Sequence, residues 1–377
     1  VSPGRDAIVI GAGLVGAALA WGLARAGASV VLLDEGDLAW RASRGNFGLI
    51  WVQSKGLGVP EYQRWTRWSA EHWPELAAQL AAESGVDVRH ERPGGLTLCL
   101  SEQEYGERER YMERLRREAG EFGFEYRMLR RPALDALIPG LGPAVVGASW
   151  TGYDGHVNPL RLLRALHAAF LARGGDYRPS CAATRVEPGP GALTVHAGGE
   201  RWTAPRVVLA AGLGNRALAA QVGLECPVTP NRGHILVTEP IRPLLPMPTV
   251  HLRQTDEGAL LIGSSQEDAG FDDRVDTGVL RGIARRAIDA FPFVAGLRIV
   301  RAWAALRVMT PDGLPLYQRS PACPGLYCIA CHSGVTLAAA HALRVAPALL
   351  DDHLPPELAR FSAARFGSGI APAGAAA

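Results

Sequence analysis

The strongest constraint on the fold lies near the N-terminus, in Gly11-Ala12-Gly13-Leu14-Val15-Gly16. A G-x-G-x-x-G run has a mechanical meaning only where a strand enters it and a helix leaves it. Both are present. Ala7 to Ile10 (AIVI) reads as a short buried strand, and Gly27 closes the helix that follows the glycines. Ser29 to Leu33 (SVVLL) reads as a second strand, ending at Asp34, 23 residues after Gly11. The first glycines allow a tight turn and close approach of backbone to a pyrophosphate, while the helix N-terminus offers amide donors and partial positive charge. Asp34 is placed to accept hydrogen bonds from adenosine ribose hydroxyls. The complete βαβ unit predicts a dinucleotide site, not a glycine-rich helix start without a ligand.

Two more strand-to-glycine turns follow. Arg206 to Ala211 (RVVLAA) runs into Gly212-Leu213-Gly214-Asn215, and Gly325 to Ala330 (GLYCIA) runs into Cys331-His332-Ser333-Gly334 and a helix, Val335 to Leu350. A chain of 377 residues is long enough for two domains at roughly 150 residues each. Turns so widely separated predict an α/β, Rossmann-type nucleotide domain that is discontinuous: residues 1–87, 152–225 and 310–366. The remaining segments, 88–151 and 226–309, are expected to build a mixed antiparallel sheet with helices that roofs the cofactor. Residues 367–377 (GSGIAPAGAAA) read as a disordered tail.

Charge and cysteine content exclude several classes. Basic and acidic residues number 39 and 37, for a net charge of +2. With no basic stripe, the chain does not read as a binder of nucleic acid or acidic membranes. Only Lys55 is a lysine and the other 38 basic residues are arginines, so a lysine-anchored cofactor has a single anchor available. A GC-rich genome also explains that bias. No stretch reaches the roughly 18 apolar residues of a transmembrane span, and no secretion signal opens the sequence. Six cysteines in this length do not make a disulfide scaffold, so a reducing cytoplasm is expected. Cys328-Ile329-Ala330-Cys331-His332 matches a haem-attachment pattern, and Cys323 adds iron–sulfur-like spacing. Strand alternation sends Cys328 and Cys331 to opposite faces, so buried core cysteines are expected and no metal.

The sequence resembles the D-amino-acid oxidase superfamily of FAD enzymes over residues 6 to 366. The resemblance is carried by the G-x-G-x-x-G unit, the Ala42-Ser43 loop with Gly48, Asp154-Gly155-His156-Val157-Asn158-Pro159, and Arg307-Val308-Met309-Thr310-Pro311-Asp312-Gly313-Leu314-Pro315. RASRGNFGLIWVQSKG (41–56), PNRGHILVTE (230–239), LRQTDEGALLIGSSQEDAGFD (252–272) and CHSGVTLAAAHA (331–342) look like one subgroup. These are the FAD-bearing B or β subunits of opine oxidases, D-hydroxyproline dehydrogenase and hydrogen cyanide synthase. The resemblance implies FAD contacts at Gly11, Gly13, Leu14, Val15, Gly16, Asp34 and Glu35, and at Arg41, Ala42, Ser43, Asn46 and Gly48 in the loop beyond. It extends them to Val186, Ala211, Gly212, Arg307, His332, Ser333, Gly334, Val335 and Thr336. It also implies a second flavoprotein subunit and a small iron–sulfur subunit as partners.

The implied reaction is oxidation of a C–N bond in an amino or imino acid, of the opine or D-hydroxyproline class, by hydride transfer to FAD. A substrate carboxylate calls for arginine's bidentate geometry, and Arg307 occupies that position in the resemblance. His251 and Arg253 are further candidates on a strand expected to face the flavin, and His332 would tune the flavin or touch substrate. No residue stands out as a base. Three readings stay open: a dehydrogenase subunit passing electrons to a partner, a self-sufficient oxidase making peroxide, and a non-catalytic FAD-binding subunit. Sarcosine oxidase-type relatives activate dioxygen with a lysine, and residues 226–309 contain none. That favours the dehydrogenase, unless the loop after Gly48 folds back and brings Lys55 over the flavin. Trp65, Trp68 and Trp73 have the spacing of a packed amphipathic helix face, with a partner surface as the alternative. Glu102 to Glu121 reads as a solvated helix.

Overall fold

The computed structural model describes residues 4–36 and 42–367. Arg41 therefore lies outside the described residues, as does all of the foreseen tail except Gly367, which ends a short helix, Ala364–Gly367.

The N-terminal unit forms as the sequence predicts: β1 (Ala7–Ile10), α1 (Leu14–Arg25) and β2 (Val30–Leu33). β1 pairs in parallel with β2 on one side and with Arg206–Leu209 on the other. The full sheet runs Leu316–Arg319, Leu326–Ala330, Arg206–Leu209, β1, β2, Asp176–Arg178, with only the first strand antiparallel. These strands are unbroken apolar runs because both faces are covered. Ala7 and Val9 pack toward α1 and the C-terminal helix, and Ile8 and Ile10 pack toward a three-stranded antiparallel layer at 183–204. α1 meets the C-terminal helix closely at Gly22, where a Cβ would press on Ala342 and Ala346.

The C-terminal helix starts later than its sequence suggests. Residues 334–337 are turns, and helix runs from Ala338 through a wide π turn at His341–Val345 to Leu350. The cause is α2 (Pro60–Ser84). Its Ser69 Oγ donates to the Thr336 carbonyl at 2.7 Å, and Trp73 Nε1 donates to the carbonyls of Val335 and Thr336. Ser69 Oγ also accepts from Ala340 N at 3.1 Å, so it stands between the Thr336 carbonyl and Ala340 N, the pair a regular helix would join directly. Trp65 and Trp73 are buried, Trp65 donates to the Tyr317 hydroxyl, and Trp68 stacks on Trp65. The tryptophan face is therefore packing.

The inserted segments build two antiparallel sheets where one was expected. The larger runs Leu252–Gln254, Ala259–Gly263, Thr229–Pro240, Ile299–Met309, and the smaller runs Gly95–Cys99, Gly147–Thr151, Arg127–Arg130. A bridge between Leu96 and Thr249 joins them, and they share one apolar core with helix Thr277–Ala290. α3 (Glu102–Ala119) is solvated along most of its length, with ion pairs such as Arg114–Glu118. Its inner face, Tyr105, Met112, Leu115 and Ala119, is buried, and Arg108 also turns inward, to Ser149 and Gln53. All six cysteines are free and buried; Cys328 and Cys331 join cores on opposite faces of the sheet and do not converge. No helix among the described residues is long and apolar enough to cross a membrane.

Candidate active site

A cleft of about 540 Å³ opens at the carboxyl ends of β1, β2, Arg206–Leu209 and Leu326–Ala330, where open α/β sheets hold their ligands. The glycines are needed there for separate reasons. Gly11 has φ +103°, and a Cβ on it would lie 2.5 Å from the Ala210 carbonyl oxygen. A Cβ on Gly13 would lie 2.8 Å from Ser43 Oγ, and one on Gly16 would overlap the Gly11 carbonyl. Asp34 braces the turn: its carboxylate accepts from Ala12 N at 2.6 Å and Gly36 N at 2.9 Å. Ser43 Oγ accepts from Leu14 N at 2.9 Å, capping the mouth of α1.

Of the sequence-predicted cofactor residues, Gly11, Gly13, Leu14, Val15, Asp34, Glu35, Ala42, Ser43, Asn46, Ala211, Gly212, His332 and Gly334 line this cleft. Several do not. Gly16 acts in packing α1 on β1. Val186 faces the core, since the chain reaches the cleft three residues earlier, at Ala182 to Thr184. Ser333, Val335 and Thr336 turn toward α2, and Thr336 Oγ1 accepts from Trp51 N. Gly48 (φ +89°) lies under Arg253. Arg307 sits between Leu306 and Val308, which point into the cleft, so strand alternation faces it away. Gln221, Leu213, Leu306 and Val308 also line the cleft and carried no sequence signal beyond strand alternation. A glycine turn at a helix mouth, two carboxylates at one side and apolar walls from Ile10, Leu33 and Ile329 fit FAD.

Beside the cleft, Arg307 lies on the Ile299–Met309 strand opposite Asn231. Its Nη1 donates to Asn231 Oδ1 (3.0 Å), the Ser265 carbonyl (2.8 Å) and the Arg232 carbonyl (3.4 Å). Its Nε and Nη2 make no hydrogen bond with the described residues, which leaves one edge of the guanidinium free. Burial lowers its pKa, against the field of Glu267.

Lys55 comes from the other side. Its Nζ lies 3.3 Å from His332 Nε2, so the loop after Gly48 does fold back. Burial brings the Lys55 ammonium down to about 8, and Arg307 adds to the effect. His332 is held neutral, far below its usual range, chiefly by the charge on Lys55 and then by burial and Arg307. With Nε2 accepting from Lys55, its Nδ1–H donates to Ser333 Oγ at 3.0 Å, and Ser333 Oγ lies 3.0 Å from the Tyr62 hydroxyl.

The loop bearing Lys55 is held by a residue the motif reading quoted without a role. Asp154 accepts from Val52 N (2.6 Å) and from Gln53 Nε2 (2.5 Å), and burial raises it to about 7. Gln53 Oε1 accepts in turn from Arg108 Nη2 (2.8 Å), Ser149 Oγ (2.6 Å) and Thr97 Oγ1 (3.2 Å). Arg253, 2% exposed, donates to the Phe47 carbonyl and so braces the cofactor loop; burial lowers it to about 10. His251 is elsewhere. It precedes the strand, which begins at Leu252, and lines a small separate cavity with Leu98, Leu100 and Arg286, where burial lowers it to about 4.

Comparison with known proteins agrees with this geometry. A family model described as FAD dependent oxidoreductase (DAO) matches residues 6–347. The B subunit of opine oxidase from Agrobacterium tumefaciens (strain Ach5) is 44% identical over 362 residues, 96% of this chain and 97% of that protein. Its counterpart from Rhizobium meliloti is 43% identical over 361 residues, again 96% of this chain and 97% of the relative. The crystal structure of glycine oxidase from Geobacillus kaustophilus superposes with a TM-score of 0.85 at 25% identity, over 95% of this chain and 98% of that one.

Proposed function

Because the chain belongs to the DAO family of FAD-dependent oxidoreductases, we propose that it oxidises the C–N bond of a secondary-amine acid of the opine or D-hydroxyproline class. We infer further that it acts as the FAD-bearing subunit of a heteromeric dehydrogenase, with a second flavoprotein subunit and a small iron–sulfur subunit receiving the electrons. FAD, when bound, supplies the hydride acceptor. The chain's own residues do the rest. Asp34, Ser43 and the glycine turn hold the dinucleotide. Arg307 presents its free edge to the substrate carboxylate and fixes the amine-bearing carbon. Neutral His332 offers a ring that adds no charge of its own beside the cleft.

The observation that carries this reading is the unsatisfied edge of Arg307, which faces away from the cleft itself while its charge reaches His332 on the cleft wall. A subunit that merely stored FAD would have no use for it. Similarity to the opine oxidase B subunits supports the substrate class and the heteromeric role. A second reading, the self-sufficient oxidase, gains from the position of Lys55 near the cleft, because a cation there favours electron transfer to dioxygen.

Anaerobic mixing of the flavin-loaded chain with a panel of opines, D-hydroxyproline and glycine tests the proposal. Bleaching of the flavin by a secondary-amine acid is expected. No bleaching by any amino or imino acid would sink it. Rapid peroxide formation in air by the isolated chain would transfer the electron route to the oxidase reading.

A further inference from the structure

We propose that Lys55 and Arg307 form a two-point anion site beside the cofactor cleft, and that its ligand is an amine flanked by two carboxylates. The inference rests on the C–N oxidation reading and narrows its substrate.

Cations drawn out of water are ordinarily paired with an acid; where Arg108 and Arg253 are buried without one, their guanidinium groups donate to oxygens of Gln53, Ser149 and Phe47. Arg365 pairs with Asp312 at 2.7 Å, and Arg232 pairs with Glu267 at 2.8 Å. Lys55 and Arg307 have no carboxylate within 4 Å among the described residues. Glu267, whose field reaches Arg307, is already committed to Arg232 and to His234. Asp154, whose field reaches Lys55, spends its oxygens on Val52 and Gln53. The two cations also act on each other and both act on His332, which lines the cleft, so the positive charge beside that wall has no acid paired with it among the described residues. Mutual repulsion in low dielectric is unfavourable until an anion arrives.

The donors also count to two. Arg307 has one free edge, suited to one carboxylate. The Lys55 ammonium has three donors, of which His332 takes one. Neutral His332 contributes no third charge. One carboxylate on Arg307 leaves Lys55 uncompensated, and a second carboxylate across the amine compensates it. N-(1-carboxyethyl) amino acids have this pattern, with a carboxylate on each carbon next to the nitrogen. A cyclic imino acid with one carboxylate does not. Lys55 is also presented rigidly: its amide donates to the Val52 carbonyl at 3.0 Å, within the loop that Asp154 fixes.

The test is anaerobic titration of the flavin-loaded full chain with N-(1-carboxyethyl)alanine and with N-isopropylalanine, in which methyl replaces the second carboxylate. The half-saturating concentration for flavin bleaching is expected to be at least tenfold lower for the dicarboxylate. In Lys55→Met that ratio should collapse to within twofold, and Lys55→Arg should restore most of it. Equal half-saturation by the two compounds in the unaltered chain overturns the inference and leaves C–N oxidation standing, with no variant needed. So does a ratio that survives Lys55→Met, or bleaching confined to amines with one carboxylate. Failure of every amine to bleach the flavin counts instead against the reaction itself.

Discussion

The Arg307 guanidinium lies flat against Gly233: a Cβ on that glycine would come within 2.4 Å of the guanidinium carbon. Gly233 is paired with Ala305 across the sheet, so Arg307 crosses the neighbouring strand at the one position where no side chain stands in its way.

Gly233→Ala should therefore displace the guanidinium, since a flexible side chain yields more easily than a sheet. The half-saturating substrate concentration should rise at least tenfold, a loss of about 1.4 kcal/mol, while flavin content is kept. Arg307→Lys should behave similarly, because an ammonium cannot reproduce the bidentate edge. Substrate titration followed by flavin absorbance checks both, and unchanged half-saturation would move carboxylate recognition away from Arg307.

Asp34→Ala should loosen the cofactor. It removes the acceptor for Ala12 N in the glycine turn and for Gly36 N just beyond β2, and hydrogen bonds to a charged partner contribute about 1.5–3 kcal/mol each. The apparent Kd for FAD should rise at least tenfold, measured by flavin fluorescence after ultrafiltration.

Asp154 gives a stability signature in acid. Its folded value of about 7 lies above the ordinary 3.8, so the folded chain holds its proton more tightly than the unfolded chain. Its contribution is full below about 4 and is lost as pH rises toward 7. Asp154→Asn should flatten that slope in urea-unfolding midpoints measured from pH 4 to 7. Asp154→Ala should cost about 1–3 kcal/mol for each buried donor it orphans, and an unaltered midpoint would remove its structural role.

Lys55 predicts a pH profile on the alkaline side. Its value falls to about 8, so the ammonium is present below that pH and is lost above it. His332, Cys331, Arg307 and Asp154 face it; His332 is already neutral, and burial keeps the Cys331 thiol protonated to about 12. Preference for the dicarboxylate over its methyl analogue should fall by about tenfold per pH unit above 8. Each compound's half-saturation is first corrected for the titration of its own amine, measured separately. A preference constant to pH 10 would show that Lys55 is not the second anchor.

What the sequence revealed depended on how local the cause was. Gly11, Gly13 and Asp34 were legible because a turn, a close approach and a strand end all fall within one short unit. Strand alternation fixed the opposite faces of Cys328 and Cys331. It misled at His251, which stands just before its strand and so outside its alternation. Val186 was implied by the family resemblance alone, and the point where the chain grazes the cleft, at Ala182 to Thr184, has no local pattern to mark it. Lys55 meets His332 across 277 positions of sequence, a contact that no local pattern encodes. The late start of the C-terminal helix was hidden too, because its cause sits on α2, in Ser69 and Trp73.

Gln53 has a consequence for how this protein can be divided. The cleft-lining groups Gly11, Gly13, Asp34 and Ser43 belong to the nucleotide-binding sheet and its first loop. Gln53, which holds the Lys55 loop, is gripped by Gly95, Thr97, Arg108 and Ser149, all from an inserted segment. A fragment trimmed to the nucleotide-binding strands would lose the placement of Lys55, together with the cleft wall supplied by Leu306 and Val308 and the brace of Arg253 on Phe47. The cleft and the Lys55 loop alike are complete only where the two lobes meet.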